Sequence, residues 1–165
     1  MNQLMDNFRI GLGYDVHAFS HERVLFLGGV KIENVPGLLG HSDADVLLHA
    51  IIDSILGAAG SGDIGVHFPD SDARYKGISS ILLLEKAYQF ISSAGFGIIN
   101  IDTVVICEKP KIAPHIPAMK DKISQALGGL PLDRISIKGK TTEKLGYTGR
   151  EEGIAVQAVA LLSKK

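Results

Sequence analysis

The segment Phe8-Arg-Ile-Gly-Leu-Gly-Tyr-Asp-Val-His-Ala-Phe19 alternates in character along its length and predicts a β-strand. Within it Asp15 and His17 stand at i and i+2, so a strand sends both side chains out of one face. Outward from it, residues 24–27 and 30–32 flank Gly28-Gly29 and predict a hairpin. Residues 43–59 predict an apolar, buried helix with Ser42 as its N-cap, and residues 60–77 a long aperiodic loop. A helix over 78–93, a β-branched strand over 98–107 and a third helix over 113–127, stopped by Gly128-Gly129, come next. A strand over 134–140, a polar loop over 141–150 and a closing strand over 154–162 complete the order. The pattern predicts an α+β fold, an α/β sandwich in which helices cover one mixed sheet. With no internal repeat or linker, residues 1–165 are expected to form a single domain.

Composition narrows the function. Hydrophobic residues make up 45% of the 165-residue chain, charged residues 21%, and the formal net charge is −1. That profile carries no basic footprint for nucleic acid or an anionic membrane. An anionic ligand must therefore meet locally placed cations. The apolar runs are too short to span a bilayer, and residues 1–10 have neither the basic start nor the apolar centre of a signal peptide. The expected compartment is the bacterial cytoplasm, or a plastid-type organelle for a trimmed chain. Cys107 has no second cysteine to pair with, which fits a reducing compartment.

Asp15 and His17 on one face of an apolar strand call for a partner. A hydrogen-bonded pair is the commoner outcome. A divalent cation is the other, since it neutralises the carboxylate and takes the imidazole lone pair. His49, on the buried helix, supplies a third ligand, and two histidines with one carboxylate leave a coordination position open, as catalytic zinc sites do. Asp45 and Asp53, one helical turn to either side of His49, are placed for either one to orient its other ring nitrogen, or else they face solvent or cap loops. The same ligand set describes non-haem Fe(II) oxygenases, although those sit on barrels with more strands.

Other residues read as phosphate-directed. His41-Ser42 leads into a helix N-terminus, where backbone N–H groups attract anions or Ser42 simply caps. In Gly62-Asp63-Ile64-Gly65, backbone exposed between small residues can meet hydroxyls or phosphates, or form an ordinary turn. Lys138, Lys140, Thr141, Thr142, Lys144 and Arg150 gather hydroxyls and cations suited to phosphate oxygens. Glu143 among them makes sense as a ligand for a Mg²⁺ that bridges phosphates; a solvated charged turn is the alternative. A non-catalytic nucleotide-binding module would use the same phosphate groups without needing the Asp15, His17 and His49 set.

Taken together, the motifs resemble one family. Arg9-Ile-Gly-Leu-Gly-Tyr-Asp-Val-His17 and His41-Ser-Asp-Ala-Asp-Val-Leu-Leu-His-Ala50 look like the N-terminal and central signatures of the 2-C-methyl-D-erythritol 2,4-cyclodiphosphate synthases. Gly62-Asp-Ile-Gly65 with Phe68-Pro-Asp-Ser-Asp72, then Lys109-Pro-Lys111, then Thr141-Thr-Glu-Lys-Leu-Gly146 with Thr148-Gly-Arg150, follow in the family's order. The resemblance covers residues 9–162. It implies that Asp15, His17 and His49 hold Zn²⁺ and that Glu143 holds Mg²⁺ or Mn²⁺ against the substrate phosphates. Asp15, His17, His41, Ser42, Asp63, Ile64 and Gly65 would line the methylerythritol phosphate pocket. Phe68, Pro69, Asp70, Ser71 and Asp72 would form its flexible wall. Cys107, Glu108, Lys109, Pro110, Lys111, Ile112 and Ala113, with Gly139, Lys140 and Thr141, would hold the cytidine. Thr142, Glu143, Tyr147 and Arg150 would complete the substrate contacts, with His41 and Thr141 as the catalytic side chains. Arg150 and Glu152 also match an arginine and a glutamate that close an apolar cavity on the family's trimer axis.

The implied reaction converts 4-diphosphocytidyl-2-C-methyl-D-erythritol 2-phosphate into the cyclic diphosphate and CMP, in non-mevalonate isoprenoid precursor biosynthesis. The implied assembly is a homotrimer with active sites between neighbouring subunits. The substrate's own 2-phosphate is the nucleophile, which agrees with a chain that shows no activated Ser or Cys.

Overall fold

A computed structural model describes residues 7–164. Five strands form one mixed sheet in the order β2-β1-β5-β3-β4, where β1 is Phe8–Leu27, β2 Val30–Leu38, β3 Phe96–Ile106, β4 Ile135–Lys140 and β5 Gly153–Lys164. All neighbours are antiparallel except β3 and β4. That parallel pair is joined by a crossover carrying a helix, as parallel pairing requires. The helices are α1 (Val46–Ala58), α2 (Ile64–His67), α3 (Ser80–Ser93), α4 (Ile116–Ala126) and α5 (Gly146–Gly149). No helix among the described residues is long and apolar enough to cross a membrane.

Helix α1 lies against β1 and β5, with α3 on its far side. The contact with β1 is unusually close because of two glycines. A Cβ on Gly11 would stand 1.9 Å from the Ser54 carbonyl oxygen, and one on Gly13 would stand 1.9 Å from that of Ala50. Ala50, Ser54 and Ala58 form a small-residue ridge at helical spacing, and the two glycines are the groove that receives it. Asp15 and His17 continue the same strand face, so the seating of the ridge brings the first turns of α1, and His49 with them, onto that pair.

On the other face of β1 a row of apolar residues is largely uncovered among the described residues. Ile10 and Leu12 are 74% and 68% exposed, and Tyr14 and Val16 are also exposed. Across the ladder they stand beside Leu161, Val159, Gln157 and Ala155 of β5.

Three local expectations are corrected. β1 does not break at residue 19. It pairs with β5 as far as Ala18 and then continues against β2, bending at register irregularities between Ser20 and Leu25. Ser42 is not the N-cap of α1. That cap is Asp45, whose carboxylate accepts from the Leu48 amide at 3.1 Å and also from the Gly28 and Gly29 amides at 2.9 and 2.7 Å. Gly28 and Gly29 both have positive φ (60° and 74°), as a two-residue hairpin turn demands, and this conformation presents their N–H groups to Asp45. Burial pushes the Asp45 carboxyl up from its ordinary pKa while the three amides oppose that. The polar stretches read as loops also hold short helices, α2 within 60–77 and α5 within 141–150.

Candidate functional site

Asp15 Oδ2, His17 Nε2 and His49 Nδ1 converge. Asp15 Oδ2 lies 2.9 Å from His17 Nε2 and 3.0 Å from His49 Nδ1, and the two ring nitrogens are 3.2 Å apart. Tetrahedral bonds of about 2.0–2.1 Å to nitrogen and oxygen separate ligand atoms by roughly 3.3–3.4 Å, so this triangle needs only slight expansion to hold an ion. Two imidazole nitrogens facing one carboxylate oxygen suit a divalent metal ion, and the set is the metal-capable cluster among the described residues. Burial works against charge on Asp15, but hydrogen bonds from both imidazoles outweigh it and hold the carboxyl well below the usual carboxylate range. Burial likewise works against a charged His17, and the hydrogen bond to Asp15 overrides it and pushes the imidazole up.

The cluster forms the floor of a cavity of about 390 Å³. His41, Ser42, Ile64, Gly65, Phe68, Pro69 and Asp70, which the resemblance assigns to the substrate pocket, line it together with Gly40, Asp53, Tyr75 and Leu83. Phe68 meets Tyr75 edge to face at 5.4 Å. His41 Nε2 is buried without a hydrogen-bond partner among the described residues. The loop that carries it is clamped by Arg23, whose guanidinium donates to the carbonyls of Gly40 and Ser42 on either side of His41.

Asp63, Ser71 and Asp72 do not line this cavity. Asp63 caps α2 through the Val66 amide at 3.0 Å. Asp72 is held by Arg74 at 2.6 Å. The expectation that Asp45 and Asp53 orient His49 is overturned. Asp45 is occupied as described above, and Asp53 accepts from the Ile64 amide at 2.8 Å, thereby tying α2 to α1. The far ring nitrogen of His49 turns instead to hydroxyls, Ser80 Oγ at 3.0 Å and Ser42 Oγ at 3.1 Å. Ser80 lies 31 residues downstream of His49, beyond the reach of any helical spacing rule.

A second cavity, of about 260 Å³, is lined by Cys107, Glu108, Pro110, Lys111, Ile112, Ala113, Gly139, Lys140 and Thr141. Its lining shares no residue with that of the first. Burial, and then the Glu108 charge, push the Cys107 thiol up to about 11, which leaves it inert as a nucleophile at neutral pH. Glu108 also orders the neighbouring loop by accepting from the Thr142 and Lys144 amides at 3.0 and 3.2 Å. Glu143 and Lys144 are both in the left-handed region (φ 54° and 64°), and Glu143 accepts from the Thr141 hydroxyl at 2.7 Å. Thr142, Glu143, Tyr147 and Arg150 line neither cavity, and Lys109 lines a third cavity with Glu151. Tyr147 shares a 2.6 Å hydroxyl contact with Tyr14, and Arg150 pairs with Glu152 at 2.7 Å.

A family model described as the YgbB family matches residues 8–163. The 2-C-methyl-D-erythritol 2,4-cyclodiphosphate synthase of Syntrophobacter fumaroxidans is 57% identical over 154 residues, 93% of this chain and 96% of that one. Its counterpart from Neisseria gonorrhoeae is 56% identical over 158 residues, covering 96% and 98% of the two chains. Among solved structures, IspF of Plasmodium falciparum in complex with CDP superimposes with a TM-score of 0.83 at 41% identity, over 96% of this chain and 97% of that one. The bifunctional IspDF of Campylobacter jejuni gives a TM-score of 0.91 at 45% identity; 96% of this chain matches 42% of that longer one.

Proposed function

Since the chain belongs to the YgbB family, we propose that it is a cyclodiphosphate synthase, converting 4-diphosphocytidyl-2-C-methyl-D-erythritol 2-phosphate to 2-C-methyl-D-erythritol 2,4-cyclodiphosphate and CMP. It is then a CMP-releasing phosphorus–oxygen lyase of isoprenoid precursor biosynthesis, folded as one domain and working in the bacterial cytoplasm or a plastid. The observation that carries the reading is the convergence of Asp15, His17 and His49 in a cavity that His41 also lines.

Asp15, His17 and His49 would hold Zn²⁺, and Glu143 would hold Mg²⁺ or Mn²⁺ together with phosphate oxygens. These cations supply charge neutralisation on the phosphates when bound. The rest of the reaction is positioning. A 2-phosphate oxygen forms a bond to the β-phosphorus, the bond from that phosphorus to the bridging oxygen breaks, and the electron pair leaves on CMP. Holding the two phosphates in line is worth roughly 7–11 kcal/mol. His41 Nε2, Ser42 and the Ile64-Gly65 backbone would fix the sugar side, with Asp63 and the wall residues Phe68, Pro69, Asp70, Ser71 and Asp72 around it. The second cavity would take the cytidine, and Thr141, at its rim beside Glu143, would contact the phosphates. Thr142, Tyr147 and Arg150 lie further along the same loop.

The two cavities share no lining residue, which supports a site completed by a second copy of the chain. The uncovered face of Ile10, Leu12, Tyr14 and Val16 supports a homotrimer, in which the metal side of one subunit meets the cytidine side of the next. A cytidyl substrate lacking the 2-phosphate tests the chemistry. It is expected to compete with substrate for binding yet release CMP at least ~100-fold more slowly, because the tethered nucleophile is gone. Equal rates of CMP release from both compounds would contradict the reading.

A further inference from the structure

The far side of His49 carries a directional hydrogen-bond chain. His49 Nε2 lies 3.0 Å from Ser80 Oγ, and Ser80 Oγ donates to Asp43 Oδ1 over a short contact. Asp43 Oδ2 accepts the Ser80 backbone amide at 2.9 Å. All of this sits at the start of α3, where Ser80 is buried. An ionised carboxylate can only accept, so the Ser80 hydroxyl must direct its proton to Asp43. Its oxygen is then left as an acceptor toward His49. Ser42 Oγ, 3.1 Å from the same nitrogen, accepts the Ala44 amide and has a second acceptor for its own proton in Ser80 Oγ at 3.4 Å.

We infer that Asp43 and Ser80 are positioning residues for the metal centre: they keep the His49 proton on Nε2, so that Nδ1 presents its lone pair to the cation beside Asp15 and His17. The inference rests on the metal reading of those three residues. A histidine ligand whose other nitrogen donates to a carboxylate-backed acceptor is oriented and made more basic, and loss of such a partner typically costs 10–100-fold in metal affinity.

The competing role for Asp43 is to cap α3 through the Ser80 amide. Asp43→Asn separates the two. A backbone N–H can only donate, so the asparagine oxygen takes the Ser80 amide and the cap survives. The asparagine NH₂ then faces Ser80 Oγ and donates to it, which turns the serine proton toward His49 Nε2 and opposes the tautomer the metal needs. Ser80→Ala removes the relay outright while leaving Asp43 free to cap.

The test uses the zinc-loaded full chain, labelled with ¹⁵N at histidine. In the unsubstituted protein His49 is expected to show a downfield, slowly exchanging Nε2–H resonance. In Asp43→Asn and in Ser80→Ala that resonance should move upfield and exchange faster, and the zinc dissociation constant, measured by competition with a chromophoric chelator, should rise about 10–100-fold. Circular dichroism of the loaded variants reports that they remain folded. If either folded variant keeps both the resonance and the zinc affinity of the unsubstituted protein, the relay is overturned and Asp43 is a helix cap alone. If the unsubstituted protein binds no zinc, the metal reading itself fails, which is a separate result.

Discussion

Asp15→Ala and His49→Ala are each expected to lose tightly held zinc and to lower turnover by at least ~100-fold, with the fold retained. Loss of a ligand is a larger perturbation than loss of a ligand's supporting partner, which alone costs about 10–100-fold. The fold should survive because the residues that seat α1 on β1, namely Gly11, Gly13, Ala50 and Ser54, are separate from the ligands. Metal content of the purified protein and steady-state CMP release are the measurements. Zinc retention should also fall as the pH is lowered through the imidazole range. The Asp15 carboxyl, held low, stays ionised throughout, whereas His17, pushed up by Asp15, takes a proton in competition with the cation. Full activity in zinc-free Asp15→Ala would remove the metal centre from the account.

The second large effect concerns the assembly. Asp15→Ala trimers and Glu143→Ala trimers are each expected to be inactive, and co-assembled mixtures to recover activity. In a randomly mixed 1:1 population, half of the chains carry an intact Asp15 side and half of their neighbours an intact Glu143 side. About one quarter of the sites in that population are then complete, and about one third of those in hybrid trimers freed of both parents, because each 2:1 ring has a single complete site. The mixture should be prepared by co-expression with two affinity tags, isolated through both, and assayed for CMP release beside each parent. No recovery in verified hybrid trimers would place Asp15 and Glu143 in the same subunit's site. A monomeric mass in solution would remove the shared site altogether.

The local pattern disclosed the core of the site but not its supports. Asp15 and His17 were legible because a strand's period of two forces them onto one face, and His49 because the helix bearing it is otherwise apolar. Gly11 and Gly13 stood in plain view beside them, yet their role depends on the carbonyls of Ser54 and Ala50, more than 35 residues downstream. The cap of α1 cannot be read locally, because Ser42, Asp43 and Asp45 all offer a side-chain oxygen to nearby amides, and local sequence does not rank such competitors. Tertiary structure does. Asp45 alone also meets the Gly28-Gly29 turn, and Asp43 is drawn away to Ser80. Helical spacing likewise offered Asp45 and Asp53 as partners of His49, but the ring's far nitrogen points across α1 toward α3, where Ser80 waits. The second cavity was legible only as a segment of a resemblance, since its residues come from the ends of β3 and β4 and carry no periodic signal.

The proposed chemistry differs from hydrolysis in one atom. A hydrolase and a cyclase can both release CMP, but a hydrolase delivers a water oxygen to the β-phosphorus, and the cyclase delivers an oxygen of the substrate's own 2-phosphate. Turnover of the cytidyl substrate in ¹⁸O-water, followed by ³¹P NMR, reads that oxygen directly through the isotope shift on phosphorus. The expected products are a cyclic diphosphate and CMP, both without solvent oxygen. An open-chain phosphate product carrying ¹⁸O would contradict it and make the protein a pyrophosphatase-like hydrolase.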